Sequence, residues 1–171
     1  MNDATWIDLA PSGFPALRIA RADVDDAGEL LVLQRACWVA EALANETLDI
    51  PALHESLDDV RLGIERQQTW VVRDGGRLVG SVRGKVVGDA WEVGRLMVAP
   101  DLAGRGLGRF LLSWIEQHAP EGISTLRLLT GARSERNLRL YGQAGYVVDR
   151  SQDGVAHLSK AATESTTPTS G

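Results

Sequence analysis

Hydrophobic and polar positions along the first half of the chain repeat with two different periods. Apolar side chains recur at helical spacing between residues 27 and 40, and a second apolar stripe follows Pro51, a favourable first residue for a helix. The stretch from residue 69 to residue 98 is instead rich in β-forming residues and is divided by two glycine-containing turns. These patterns predict a strand at 17–20, two helices and then a three-stranded meander.

The second half of the chain returns to helical spacing and then alternates again. Apolar residues from Phe110 to Ile115 predict a helix, and residues 123–130 predict a buried strand. Ser134 is expected to cap a last helix, and a hairpin closes the chain. The order is β-α-α-β-β-β-α-β-α-β-β, which predicts an α+β fold. The strand at 91–98, the next helix and the strand from 123 form one β-α-β unit, whose two strands run parallel.

Length and composition set the domain organisation. The chain has 171 residues, of which 44% are hydrophobic, and this suits one domain with its own core. We assign residues 1–15 to an N-terminal arm and residues 16–160 to the single domain. Residues 161–171 contain no core-forming side chains and are expected to be a disordered polar tail.

Charge and cysteine content narrow the class of protein. The 18 basic and 23 acidic residues give a net charge of -5, which argues against binding to nucleic acid or to an anionic membrane. Cys37 is the only cysteine, and neither a basic leader nor a long apolar run is present, so we expect a cytoplasmic protein. The three histidines show no ligand spacing, so no metal site is predicted.

The stretch DLAGRGLGRF at residues 101–110 contains three closely spaced glycines immediately before a predicted helix, and their purpose needs an explanation. Gly104, Gly106 and Gly108 directly precede a helix, although glycine is costly to order. They lie at the carboxyl end of a strand, where the first amides of a helix form a natural phosphate site. A dinucleotide fingerprint fails because Arg109 occupies the position of its third glycine, and a nucleotide-triphosphatase loop fails because its Lys-Ser/Thr pair is missing.

Two motifs identify a family resemblance. The stretch VAPDLAGRGLGRFLL resembles the acyl-CoA-binding motif of the GNAT superfamily of N-acyltransferases, with matching glycines at Gly106 and Gly108. Ala103 stands where that motif has Arg or Gln, so Arg105 or Arg109 is expected to supply the charge. The second stretch, SERNLRLYGQAGY, resembles the family's N-x-x-x-Y-x-x-x-G-[F/Y] pattern, which here falls on Asn137, Tyr141, Gly145 and Tyr146.

The resemblance implies a GNAT-like mixed sheet with splayed central parallel strands, and it implies a role for several residues. Backbone groups of Met97 and Val98 would bind the pantetheine and the acyl carbonyl. Asn137 would anchor the pantetheine arm, and Tyr141 would act as general acid toward the departing sulfur. The pyrophosphate would be held by the amides of Ala103, Gly104, Arg105, Gly106, Leu107, Gly108 and Arg109.

The general base and the acceptor site are less sharply defined. Glu92 lies six residues before Val98, a position from which some family members deploy a carboxylate, and a plain surface or paired glutamate is the equal alternative. Trp38 and Glu41 lie in the part of the chain that borders the acceptor site in this family. The alternative for them is an ordinary solvated acidic segment. If Glu92 is not the base, the acidic residues Glu41, Glu46 and Asp49 are the next candidates.

The resemblance therefore implies an acetyl-CoA-dependent N-acetyltransferase. It would move an acetyl group to a primary amine of a small molecule or peptide by direct transfer in a ternary complex, as a monomer or homodimer. A non-catalytic acyl-CoA-binding module on the same fold is the main alternative, and a different phosphate-ligand protein is a third. The identity of the acceptor stays open at this point.

Overall fold

One mixed β-sheet carries the helices on its two faces in the computed structural model, which describes residues 5–163. The strands are β1 (Ile7–Asp8), β2 (Leu17–Arg21), β3 (Gln68–Asp74), β4 (Arg77–Val87), β5 (Ala90–Val98), β6 (Thr125–Gly131), β7 (Val147–Gln152) and β8 (Val155–Ala161). The helices are α1 (Ala27–Asn45), α2 (Pro51–His54), α3 (Leu57–Arg66), α4 (Leu107–Gln117) and α5 (Glu135–Gln143).

The strands lie in the order β1-β2-β3-β4-β5-β6-β8-β7, and the neighbours β5 and β6 are parallel. The other neighbouring pairs are antiparallel. This arrangement confirms the predicted α+β class and the parallel β-α-β unit formed by β5, α4 and β6.

The two parallel strands part before either of them ends. Their pairing runs from Ala90 and Thr125 to Val93 and Leu128. Beyond that point β5 continues to Val98 along β4, while β6 continues to Gly131 along β8. The predicted splaying of the central strands is confirmed, and it leaves a wedge-shaped opening between the carboxyl ends of β5 and β6.

Helix α4 lies on one face of the sheet and presents its first turn to the end of β5. Its apolar positions follow one stripe, so the side chains that face the sheet are buried, namely Leu107, Leu111, Leu112 and Ile115. The indole Nε1 of Trp91 in β5 donates a 3.0 Å hydrogen bond to the carbonyl of Ile115. Next to Trp91 in the strand, Glu92 points to the opposite face, which α1 and α3 cover.

Two details of the predicted elements need correction, and one further cap precedes the first helix. The second helix is divided, because Ser56 begins a new helix by forming a capping box with Asp59. Asp23 caps a short 3₁₀ turn with Asp26, and α1 begins only after it, at Ala27. Ser134 precedes α5 but its side chain makes no cap, because the hydroxyl is bonded to α1 instead.

The ends of the domain also differ in detail from the prediction. The arm contributes β1, which pairs with β2. At the other end β8 extends to Ala161, one residue into the predicted tail. The rest of the tail prediction, from residue 164, lies outside the described residues. No helix within residues 5–163 is long and apolar enough to cross a membrane.

Candidate functional site

The end of β5 presents one peptide group to the wedge. The amide of Ala99 donates a 2.8 Å hydrogen bond to Val79 in β4, and the same register pairs Met97 with Ser81. In an antiparallel ladder the residue between two such pairs turns its N–H and C=O to the other side. Val98 is that residue, and its carbonyl accepts a hydrogen bond from Cys37 Sγ at 3.2 Å. Of the predicted pair, Val98 therefore faces the opening, whereas the peptide groups of Met97 face β4.

The glycine-rich loop forms a turn with exposed amides directly after β5. Gly104 and Gly106 have φ angles of 80° and 88°, which glycine adopts without steric cost. Gly106 precedes α4 without a side-chain cap, and within residues 5–163 the amides from Gly104 to Arg109 have no hydrogen-bond acceptor. These amides and the positive end of the helix dipole point outward together.

A cavity of about 700 Å³ lies in front of this loop. Its volume falls within the range of small-molecule sites. Gly104, Gly106 and Gly108 line one side, and side chains from α5 and the turn before it line the other. The arginines that line it are Arg109, Arg133, Arg136 and Arg139. Leu107 is instead buried in the core, and Ala103 and Arg105 are not among the lining residues.

The sequence reasoning missed three of these arginines. Arg136 and Arg139 lie three residues apart on α5, so one face of the helix carries both toward the cavity, and Arg133 lines it from the turn before α5. That spacing was the available signal, although nothing local showed that α5 faces the glycine loop. Arg133 also forms a 2.6 Å ion pair with the exposed Glu46, which stays a candidate base.

Helix α1 bridges the wedge on its other side. Cys37 contacts β5, and one turn later Glu41 accepts hydrogen bonds from the far arm. Its donors are Thr130 Oγ1 at 3.3 Å, the Gly131 amide at 3.2 Å, Asn137 Nδ2 at 3.1 Å, and Ser134 Oγ. Its carboxylate is thus held by the junction of β6 and α5, and it braces the opening; that Glu41 borders the acceptor stays a prediction.

Asn137 is fixed by the same junction. Its Nδ2 donates to Glu41 Oε2 at 3.1 Å and to Thr130 Oγ1 at 3.2 Å. Both N–H bonds of the amide group are thereby engaged, and the side-chain oxygen is left to accept from a ligand. This geometry suits the predicted contact with a pantetheine N–H.

Tyr141 lies on α5 with its ring buried against Tyr146, 6.2 Å between ring centroids. Burial raises the pKa of Tyr141 well above its usual value, and the nearby Glu41 charge raises it further. The Tyr141 hydroxyl has no hydrogen-bond partner within residues 5–163. Its proton is therefore available for donation to a ligand. Tyr146, by contrast, donates its hydroxyl to Glu116 at 2.9 Å.

Glu92 lies in the part of β5 that is still paired with β6. Its carboxylate forms a 2.9 Å ion pair with Lys85 on β4, and its side chain is 28% exposed. Two residues further along the same face, a Cβ built on Gly94 would meet nothing within 4 Å. An open space therefore adjoins Glu92 at the point where the strands part.

Trp38 and Arg95 lie together at that point. The Arg95 guanidinium lies over the Trp38 ring, 5.7 Å from its centroid, and bonds Glu55 at 2.6 Å. Arg95 has a φ of 48°, and the pairing of β4 with β5 shifts register between Ser81 and Arg83. Such a bulge re-aims side chains beside functional sites. No local sequence pattern predicts this bulge.

The structure thus gathers the predicted residues into two connected regions. Val98, the glycine loop and Arg109 form one region beside the arginine-lined cavity, with Asn137 and Tyr141 across the wedge. Glu92 and Trp38 lie on the face of the sheet that α1 covers. No group of three or more His, Cys, Asp or Glu side chains in the described part of the chain is arranged to hold a metal ion.

A mixed sheet whose central parallel strands part beside a helix amino terminus has the architecture of the GNAT acetyltransferase class. The model of the Acetyltransferase (GNAT) family matches residues 30–146, and the chain belongs to this family.

Solved structures share the fold at low sequence identity. The PaiA N-acetyltransferase of Thermoplasma acidophilum, solved with coenzyme A, is 18% identical with a TM-score of 0.75, covering 85% of this chain and 98% of that one. The ribosomal-protein-S18-alanine N-acetyltransferase of Escherichia coli is 18% identical with a TM-score of 0.67, covering 86% and 94%. The putative acetyltransferase YncA of Salmonella typhimurium, solved with acetyl-CoA, is 18% identical with a TM-score of 0.67, covering 89% and 97%.

One curated relative is similar over part of its length. The UPF0157 protein YqkA of Bacillus subtilis (strain 168) is 29% identical over 120 residues, which cover 70% of this chain. The chain spans about a third of the length of that protein, since the match covers 34% of it.

The Glu41 junction gives a prediction about stability. Glu41→Ala leaves the donors of Thr130, Ser134 and Asn137 without their shared acceptor, so we expect a loss of about 2–3 kcal/mol in the free energy of unfolding. Urea denaturation followed by circular dichroism measures the loss. Glu65→Ala, an exposed change on α3, is the matched control and should alter the free energy by less than about 0.5 kcal/mol. Equal stability of the two variants would contradict the bracing role.

Proposed function

We propose that the chain is an acetyl-CoA-dependent N-acetyltransferase that moves an acetyl group to a primary amine by direct transfer in a ternary complex. The observation that carries this proposal is the unpartnered row of amides from Gly104 to Arg109. It lies beside the arginine-lined cavity and directly after the strand end that turns Val98 toward the wedge. One extended molecule with a polyphosphate at one end and amide groups along its arm matches both features.

The residues present fit acetyl-CoA, which supplies an acetyl group activated as a thioester. The amides of Gly104, Gly106 and Gly108 would bind its pyrophosphate, and Arg136 and Arg139 add positive charge on the opposite wall. Ala103, in place of the motif's Arg or Gln, removes one side chain from this set but none of the amides. The Val98 amide and the Asn137 side-chain oxygen would hold the pantetheine arm.

The transfer forms a bond between the amine nitrogen and the acetyl carbon and breaks the bond between that carbon and sulfur. The amine loses one proton and the departing sulfur gains one. Tyr141 is proposed to donate to the sulfur: its hydroxyl is protonated at neutral pH, and its raised pKa means that the proton leaves only as the basic thiolate forms. Because a tyrosinate beside Glu41 is unfavourable, the hydroxyl must recover a proton from solvent soon after donating it.

Glu92 is proposed to accept the proton of the amine. It adjoins the open space over Gly94, and its carboxylate forms an ion pair with Lys85. The alternative is that this ion pair only stabilises the sheet. A non-catalytic acyl-CoA-binding module is the second candidate function, and the unbonded hydroxyl of Tyr141 favours the enzyme.

Acetyl-CoA should stabilise the protein through the arginine-lined cavity. At about 100 times its dissociation constant it should add about 2.7 kcal/mol to the free energy of unfolding, measured as a thermal shift. The double variant Arg136→Ala/Arg139→Ala should bind about 10–100-fold more weakly, because charge-assisted bonds to phosphate are lost. The exposed Arg150→Ala variant on β7 is the control and should bind normally. No shift of the wild-type protein with acetyl-CoA or CoA would contradict the proposal.

Tyr141→Phe tests the proton donor. We expect kcat to fall about 10²–10⁴-fold with unchanged CoA affinity, because only the hydroxyl is removed. Thiol release from acetyl-CoA against a panel of amines measures the rate. Tyr146→Phe removes a hydroxyl from the neighbouring ring, where it only bonds Glu116, and should cost stability but little rate. If both variants turn over like wild type, Tyr141 is a packing residue.

Glu92→Gln tests the base through its pH dependence. The amide keeps the shape but cannot take a proton, so the rate should fall most where the amine is protonated and recover as pH approaches the amine's pKa, about 10.4 for a lysine-like amine. The exposed Glu121→Gln variant should keep the wild-type profile. A Glu92→Gln profile parallel to wild type at full height would remove Glu92 from the mechanism.

A further inference from the structure

A buried arginine lies next to the open space above Gly94. Arg83 on β4 is paired in register with Gly94 on β5, so both face the side of the sheet that carries Glu92. The Arg83 side chain is only 9% exposed. Its guanidinium lies against Gly63 of α3, where an added Cβ would come within 2.9 Å of an Arg83 nitrogen. Helix α3 thus covers the arginine but leaves the space over Gly94 open.

Arg83 lacks a proper partner for its charge. Within residues 5–163 its Nε is buried without a hydrogen-bond acceptor. The nearest carboxylate, Glu55, is 3.8 Å from an Arg83 terminal nitrogen. Buried charges are costly unless they are paired and hydrogen-bonded.

Glu55 is already engaged by other groups. Arg95 donates to it twice, at 2.6 and 3.4 Å, and the buried Gln34 donates at 2.8 Å. Two arginines therefore share one carboxylate. Burial lowers the pKa of Arg83, and Arg95 lowers it further, against the opposing effect of Glu55. A second anion placed here would relieve the excess positive charge.

The surrounding charges strengthen this imbalance. Lys85 and Glu92 neutralise each other on the same face, and Glu55 neutralises one of the two arginines. One positive charge is left over, at the point where the strands part. The protein as a whole has a net charge of -5, so this local excess runs against its average.

From these contacts we infer that the acceptor is a small amine that carries a carboxylate. Its carboxylate binds Arg83 in the space over Gly94, and its amine lies toward Glu92 and the end of β5. The inference rests on the proposed acetyl transfer and names the substrate class of that site. A small molecule is specified because Arg83 is covered by α3, so only a short anionic group can reach the guanidinium.

The test compares acceptors that differ only in the carboxylate. Amines such as β-alanine and 4-aminobutyrate are each paired with their carboxamides, and kcat/KM is expressed per neutral amine. We expect the carboxylate member to be preferred about 10–100-fold, the range of a charge-assisted hydrogen-bonded pair. Arg83→Met should reduce the preference to near one, and Arg83→Lys should keep part of it because a point charge replaces a planar fork.

Arg61→Met is the matched control, because Arg61 lies on the covering helix α3 with half of its side chain exposed. It should keep the wild-type preference, and a retained thermal shift with CoA shows that Arg83→Met is folded. A wild-type preference near one, or one unchanged in Arg83→Met, overturns the inference while acetyl transfer stands.

A binding measurement separates failure of the inference from failure of the proposed function. If CoA raises the melting temperature but no acceptor releases thiol, the same acceptor pairs are added to the CoA-saturated protein. A larger shift with the carboxylate members, lost in Arg83→Met, supports the inference, and equal shifts overturn it. If CoA itself gives no shift, the proposed function fails and the inference falls with it.

Discussion

The parting of β5 from β6 is the constraint on which the rest of the structure depends. Two parallel strands that stop pairing at Val93 and Leu128 leave backbone groups without a sheet partner. Such groups are costly to bury unless something else satisfies them. Helix α1 satisfies part of them from one side, through Cys37 on β5 and Glu41 on the arm of β6. The wedge is therefore held open by specific polar contacts.

Positive charge is concentrated in two separate regions, one on each side of the wedge. At its outer end a helix amino terminus and four arginines gather positive potential in a chain whose net charge is negative. This local concentration of positive charge in a negatively charged protein is what the proposed binding of a polyphosphate requires. On the face under α1 and α3, the ion pairs of Lys85, Arg95 and Glu55 leave Arg83 as the unmatched charge. In the proposed reaction, the phosphates of acetyl-CoA and the carboxylate of the acceptor would bind these two separate positive sites.

Much of the fold was predictable because its signals are local. The period change near residue 69, the turns and the two motifs located the elements, and the motif spacing placed Tyr141 and Asn137 on one helix face. The division of the second predicted helix at Ser56 was not predicted, because the apolar stripe continues across it. Ser56 and Asp59 nevertheless have the spacing of a capping box. The Glu41 junction, the bulge at Arg95 and the Arg83 cluster depend on residues far apart in the chain, which no local pattern brings together.

The central claim is that one extended acyl carrier occupies both the glycine loop and the wedge. Amide chemical shifts recorded by NMR during a titration with CoA test it most directly, because they report on each backbone N–H separately. The account predicts the largest changes at Val98, Gly104, Gly106 and Gly108, with little change at Gly88 and Gly122, which lie beyond the opposite ends of β5 and α4. Changes confined to the loop, without Val98, or spread evenly over the sheet would contradict it.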